Sequence, residues 1–185
     1  MNSLLEIDIE ILRLIQNYRI ELLDYLFYWL SKSTYFVSAS IIIYLGCIAF
    51  FRRSERFKTL LLRMVTMLSV TTLIVLSLKY TILRTRPFEL YSDIVNLAGA
   101  CSPSFPSGHT AVAFTVAFGL MFSKIKRIYY LPVLLWAIAV AYSRLALGVH
   151  FPTDILTSII LAFTSAMASA FIYTDASGKK KSQLF

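Results

Sequence analysis

Arginine, histidine and aspartate fall together in one short stretch, Tyr142 to Asp154, which reads Y-S-R-L-A-L-G-V-H-F-P-T-D between two strongly apolar segments. Arg144 can fork onto a phosphate. His150 can attack an electrophile or shuttle protons. Asp154, four residues on, can hold the far nitrogen of the imidazole and fix its tautomer. Gly148 suits a helix stop and Pro152 the first turn of a following helix. The chain is therefore expected to leave one helix after Arg144, cross a tight corner carrying His150, and start another beside Asp154. A carboxylate just inside an apolar helix needs a partner, and His150 is the nearest candidate.

Two further stretches carry complementary chemistry. Lys79 and Arg86, in K-Y-T-I-L-R-T-R-P, stand seven residues apart, which on a continuous helix is two turns and one shared face. Pro87 disfavours helix at Arg86 and turns the chain off there. Arg84, between them, is either a third contact or a side chain snorkelling to the interface, and Lys79 and Arg86 taken alone also read as snorkellers. Pro106-Ser107-Gly108-His109 opens the next apolar run. Ser107 is a natural N-cap, which leaves the backbone N–H groups of Gly108 and His109 for an anion. Gly108 admits a phosphoryl oxygen closely, and His109 can protonate a leaving oxygen; alone, the stretch reads as a capped helix with an interfacial histidine. The set is stronger than its parts, because the chain's 2 histidines both fall at such helix ends, beside cations and one carboxylate. Cations for a phosphate, a nucleophile with its orienter, and an acid suit phosphoryl transfer without a metal.

These groups have to be held by membrane helices. Of 185 residues, 58% are hydrophobic and 15% charged, with a mean hydropathy of +0.71, an apolar excess that points to an all-α, polytopic membrane helix bundle. Tyr35–Phe51, Met64–Leu83, Thr110–Ser123, Ile128–Leu147 and Phe151–Tyr173 read as spans, Thr110–Ser123 being short for one. Residues 1–33 are different. Leu4, Ile7, Ile11, Leu14, Tyr18 and Leu22 recur at helical spacing, with Glu6, Glu10, Arg13, Asn17 and Glu21 opposite and Asp8 the one charge near the apolar face. This segment either lies in the interface or forms a first span, so five or six transmembrane helices are expected. The domain reading is residues 1–33 as an amphipathic or first membrane helix, 34–175 as the catalytic membrane domain, and 176–185 as a basic cytoplasmic tail.

Charge placement supplies an orientation. Arg52, Arg53, Arg56, Lys58 and Arg63, then Lys124, Lys126 and Arg127, then Lys179, Lys180 and Lys181 gather at one end of the spans, and together they are most of the 18 Lys and Arg. By the positive-inside rule that end is cytoplasmic. Lys79, Arg84, Arg86 and Arg144 fall on the opposite, external face, against the signal, so something other than topology holds them there. The net charge of +8 is thus a matter of loops, and nucleic acid is not expected as a partner. Cys47 and Cys101 support no disulfide framework, no His/Cys cluster has zinc spacing, and the acidic N-terminus does not read as a cleavable signal peptide. No metal or cofactor is expected.

K-x6-R-P at Lys79 to Pro87, P-S-G-H at Pro106 to His109, and S-R-x5-H-x3-D at Ser143 to Asp154 together resemble the type 2 phosphatidic acid phosphatase superfamily, in the family's order and without substitution. The resemblance implies a haloperoxidase-like helical core, commonly of six spans, with its site near the bilayer surface. It implies that His150 is the nucleophile that becomes phosphohistidine, Asp154 its orienting partner, and His109 the general acid. Lys79, Arg86, Arg144, Ser107 and Gly108 would hold the phosphoryl oxygens, without a metal. The implied substrate is a phosphorylated membrane lipid. Compact members of the family resemble bacterial undecaprenyl-diphosphate phosphatases, while phosphatidylglycerophosphate and lipid A 1-phosphate phosphatases share the motifs. A bacterial cytoplasmic membrane, with the site facing the periplasm or exterior, follows from the same resemblance. A vanadium haloperoxidase resembles the pocket but is soluble. A non-catalytic protein that binds or moves anionic lipid would use the cations but not His150, Asp154 and His109 together.

Overall fold

A computed structural model of the chain describes residues 3–123 and 125–178. Lys124 and Lys179–Lys181 of the charge pattern, and the tail beyond Gly178, lie outside the described residues. In chain order the helices are α1 (Ser3–Asn17), α2 (Asp24–Phe51), α3 (Glu55–Ile82), the single turn α4 (Pro87–Leu90), α5 (Gly108–Met121), α6 (Arg127–Ala146) and α7 (Pro152–Gly178), with a 3-10 turn at Glu21–Leu23 before α2. No strand occurs among the described residues.

Helices α2, α3, α6 and α7 are long and apolar enough to cross a membrane, and α5 is a shorter apolar helix. At about 1.5 Å per residue the 14 residues of α5 reach only about two-thirds of the way across a hydrocarbon core of roughly 30 Å. Its surroundings explain why that suffices. Thr110, Ala111, Ala113, Phe114, Thr115, Val116, Ala117, Gly119 and Leu120 are all buried, so α5 is apolar all round because protein surrounds it. Ala113, Ala117, Ala137, Val140, Ala141 and Ala162 form the core shared by α5, α6 and α7. Such small residues let helix backbones approach closely where lipid offers no hydrophobic drive.

Among the described residues the bundle has five such helices, and residues 1–33 divide between two roles. The amphipathic part ends at Asn17, and α2 already starts at Asp24, so the boundary placed between residues 33 and 34 falls inside a helix. The apolar stripe read on α1 does not face the protein. Leu4, Ile7, Leu14 and Tyr18 are exposed, whereas Asp8, Ile9 and Leu12 are buried, Ile9 and Leu12 against Ile94 and Phe151. With this stripe turned outward and Asp8, Ile9 and Leu12 packed on the protein, α1 has the arrangement of a helix lying in the bilayer interface. Gln16 fastens it by donating to the carbonyls of Leu145 and Ala146 at the end of α6, at 2.7 and 2.9 Å.

Successive helices run antiparallel, giving the bundle two ends. Arg52, Arg53, Lys126 and Arg127 lie at the end where α2 passes to α3 and α5 to α6. Arg63, counted with that basic end on sequence, is buried instead. It donates to Ser169 Oγ at 2.9 Å and to the carbonyls of Phe122 and Ala166, tying α3 to α5 and α7. The three sequence motifs occupy the other end.

Candidate active site

The corner between α6 and α7 forms as its residues dictate. α6 stops at Ala146, Gly148 takes φ +70°, and Pro152 begins α7. A side chain at Gly148 would run into the carbonyl of Val95, so glycine is required for both space and backbone. This folds His150 inward, 2% exposed, with its Nδ1 3.5 Å from Asp154 Oδ2. That separation is long for a hydrogen bond, as resting sites often are. Burial pushes the imidazole down to about 3, against the opposing pull of the Asp154 carboxylate. The ring is therefore neutral near pH 7, and with Nδ1 turned to Asp154 its Nε2 lone pair is the one left for chemistry.

Asp154 is fully buried and well supplied with donors. Ser104 Oγ donates to its Oδ2 at 2.5 Å and the Phe151 N–H at 2.9 Å. Arg84 donates to its Oδ1 at 2.6 Å, so the nearest charged partner of Asp154 is Arg84 rather than His150.

The K-x6-R-P stretch does not form two turns of one helix. α3 ends at Ile82, Leu83 caps it at φ +50°, and Arg86 is extended at the N-cap of α4 with Pro87 at its first position. The two cations are still brought together, because the chain reversal carries Arg86 back over the helix end. Lys79 donates to the Pro103 carbonyl at 2.5 Å. Arg86 donates to the carbonyls of Ser102 and Val149 at 2.5 and 2.6 Å. Arg144, in the last turn of α6, donates to Ser31 Oγ of α2, and its Nε has no hydrogen-bond partner among the described residues.

Lys79, Arg86, Arg144, Gly108, His109 and His150 line one cavity of about 510 Å³. Ser107 and Asp154 lie behind that lining. Ser107 does occupy the N-cap of α5, but its hydroxyl meets Thr110 Oγ1 at 3.0 Å and caps no backbone N–H. Residues 98–102 form one wall, shaped by Asn96 Oδ1, which accepts the N–H groups of Ala98 and Ala100. No acidic side chain lines the cavity among the described residues. Lys79, Arg86 and Arg144 are 8%, 3% and 4% exposed and, among the described residues, have no carboxylate partner within ion-pair distance. Buried cations without counter-ions are costly, so the cavity is built for an anion that enters from outside.

Sequence reading missed several groups here. Tyr28, Ser31, Lys32 and Tyr35 of α2 complete the cavity, with the Tyr35 ring 5.0 Å from that of His109. Lys32, a cation just inside an apolar helix, was the available signal. Asp8 accepts from Arg84 at 2.6 Å and from the Thr153 N–H at 2.9 Å, and its place beside the apolar face of α1 was the clue to a buried role.

A family model described as the PAP2 superfamily matches residues 60–177. The chain is 30% identical over 77 residues to undecaprenyl-diphosphatase BcrC of Bacillus subtilis, covering 42% of this chain and 39% of that protein. It is 30% identical over 107 residues to an undecaprenyl-diphosphatase of Sulfolobus acidocaldarius, covering 57% and 52%. The matched part is thus about half the length of these relatives or less. LpxE of Aquifex aeolicus superposes with a TM-score of 0.71 at 31% identity, over 88% of this chain and 94% of that one. A transmembrane PAP2 type phosphatidylglycerolphosphate phosphatase from Bacillus subtilis superposes with a TM-score of 0.77 at 26% identity, over 95% and 88%.

Proposed function

The chain belongs to the PAP2 superfamily, and from that premise we propose that it is a multi-pass membrane phosphatase that hydrolyses a phosphorylated lipid headgroup through a phosphohistidine, with undecaprenyl diphosphate as its substrate. The observation that carries the activity is the cavity itself: three buried cations without acidic partners, converging on a neutral histidine backed by a carboxylate.

In this mechanism Lys79, Arg86, Arg144 and the α5 backbone N–H groups at Gly108 and His109 hold the phosphoryl oxygens, with Ser107 setting the turn behind them. His150 Nε2 forms a bond to phosphorus as the bond to the leaving oxygen breaks. His109, which takes up a proton when the negative charge of the phosphate enters the cavity, gives that oxygen its proton. Asp154 holds Nδ1–H and stabilises the positive charge that the ring acquires. Water then attacks phosphorus, gives its proton to His109, and displaces His150 to release inorganic phosphate. The cations supply the charge that a metal supplies in other phosphatases, so release is expected to survive EDTA.

Undecaprenyl diphosphate is favoured by the two relatives named for that activity and by Lys32. This exposed lysine lines the cavity on the α2 side, one turn before Tyr35, whose ring packs tilted against that of His109. A cation on the side of the proposed acid suits a leaving group that is itself a phosphate. Lys32→Ala is expected to lower kcat/KM about tenfold for a lipid diphosphate, the scale of one exposed charge contact to phosphate, and by less than about threefold for a lipid monophosphate. Equal losses on both would assign Lys32 no part in choosing the substrate.

The deciding assay is phosphate release by detergent-solubilised protein from undecaprenyl diphosphate, phosphatidylglycerophosphate, phosphatidic acid and lipid A, in EDTA. The fastest lipid names the substrate. Release from phosphatidylglycerophosphate or lipid A alone would move the assignment to those alternatives, and silence on all four would leave lipid binding as the function. The proposed setting is a bacterial cytoplasmic membrane with the site outside, supported by the basic loops at the opposite end. With Cys47 and Cys101 replaced, a cysteine at exposed Ser92 should react with an impermeant reagent in intact cells. Reaction only after the cells are broken would reverse the orientation.

A further inference from the structure

Arg84 stands between two buried carboxylates. It donates to Asp154 Oδ1 and to Asp8 Oδ2, each at 2.6 Å, while its guanidinium lies 4.1 Å from the centre of the Phe151 ring. Asp8 is 1% exposed and Asp154 0%. Asp8 is fixed in turn by the Thr153 N–H at 2.9 Å and by the Thr153 hydroxyl at 2.5 Å. One residue from α1, one from the reversal after α3 and one from α7 thus form a single charged chain that ends on His150.

Counting charge shows what Asp8 adds. An Arg84–Asp154 pair alone is neutral, and a neutral pair does little for an imidazole that becomes positive on taking a phosphoryl group. With Asp8 the three side chains carry one net negative charge. We propose that Asp8 and Arg84 are positioning residues: Arg84 orients the Asp154 carboxylate, and Asp8 offsets the Arg84 charge so that Asp154 presents its own to His150. The interfacial helix α1 is then part of the catalytic apparatus. This inference rests on the phosphohistidine reading above. The rival is mechanical, with Asp8 only pinning α1 to the bundle. Charge balance and pinning differ in the sign of their coupling.

The test is a double-mutant cycle in the full-length protein, using undecaprenyl diphosphate hydrolysis and, separately, orthovanadate binding followed by vanadium NMR. Asp8→Asn keeps the shape and leaves Arg84 uncompensated, so kcat should fall about 10–100-fold, with KM within about twofold. Adding Arg84→Met removes the uncompensated charge, and the double variant should recover at least about tenfold of that loss. Vanadate affinity should follow the same pattern, since vanadate on His150 imitates the loaded ring. Asp8→Asn within twofold of wild type would overturn the proposal, as would a double variant no better than the product of the two single effects. Thermal unfolding in detergent confirms that each variant is compared folded. A wild-type protein that hydrolyses no lipid phosphate would defeat the proposed function instead, and the vanadate cycle would still decide the role of Asp8.

Discussion

His150→Ala is expected to abolish phosphate release, with kcat lowered by at least about 10⁴-fold, on the scale seen when a covalent nucleophile is removed. The size follows from what the cavity retains. The cations and the α5 N-terminus would still bind and polarise the phosphoryl group, so some catalysis over bulk water persists, as it does in other enzymes stripped of a nucleophile. The covalent step through the imidazole would be gone, because among the described residues the lining holds no second histidine backed by a carboxylate. The variant also has a structural cost. His150 is 2% exposed, and truncation leaves a void and removes a neighbour from buried Asp154, worth about 2–4 kcal/mol by analogy with other core truncations. His150→Gln, closer in volume, separates the two effects. If chemistry dominates, both variants are equally dead and the glutamine form is the more stable. Wild-type protein quenched during turnover in alkaline denaturant should carry a phosphoryl group that is stable to alkali and labile to acid, and neither variant should. A His150→Ala protein that keeps more than about a tenth of wild-type kcat, or a wild type that never becomes phosphorylated, would remove His150 from the proposed role.

The pH behaviour of this residue is set by its burial. An ordinary histidine near 6.5 would be half protonated, and so blocked as a nucleophile, in mildly acidic conditions. Burial pushes His150 down to about 3, so the ring stays neutral throughout the physiological range, as the proposed nucleophile must. The same shift makes the unfolded chain the better proton acceptor below about pH 6.5. The His150 contribution to stability is therefore complete above that pH and is lost as pH falls towards the folded value.

What could be read from the sequence was local. Arg144, Gly148, His150, Pro152 and Asp154 lie within one corner, where a helix stop, a positive φ and a helix start are all set by neighbouring residues. The helical bundle was legible for a related reason, since apolar length alone determines which segments can cross lipid. The errors arose where distant parts of the chain decide. Leu83 breaks α3 four residues after Lys79, and nothing in that apolar stretch announces a left-handed cap. Asp8 and Arg84 are separated by 76 residues and meet only because α1 folds back over the corner. Arg63 belongs by composition to the basic end, yet the carbonyls of Phe122 and Ala166 draw it inside. The sequence left open what covers the apolar face of α1, because lipid and protein both accept apolar side chains. Hydrophobic periodicity finds such a face without saying which of the two covers it.

The second large effect is expected at Arg144, where charge can be separated from shape. Arg144→Lys keeps a cation at the end of α6, where the helix dipole welcomes one. It gives up the planar fork that can hold two oxygens of one phosphoryl group. The native side chain is 4% exposed, with one arm on Ser31 Oγ and an Nε that bonds to nothing among the described residues. An unpaired buried donor in a cavity lined with cations is a group waiting for an anion. Its loss should cost about 10²–10³-fold in kcat/KM, or about 2.7–4 kcal/mol, the range found when one donor to a transition-state oxyanion is removed. Most of the loss should appear in kcat, because the phosphoryl oxygens spread apart in the transition state and a fork keeps hold of both while a single ammonium does not. Steady-state kinetics of Arg144→Lys on the best lipid substrate measure this directly. The competing account, a snorkelling arginine at a membrane end, needs only the charge. On that account lysine is as good as arginine, and a variant within about threefold of wild type would show it to be right.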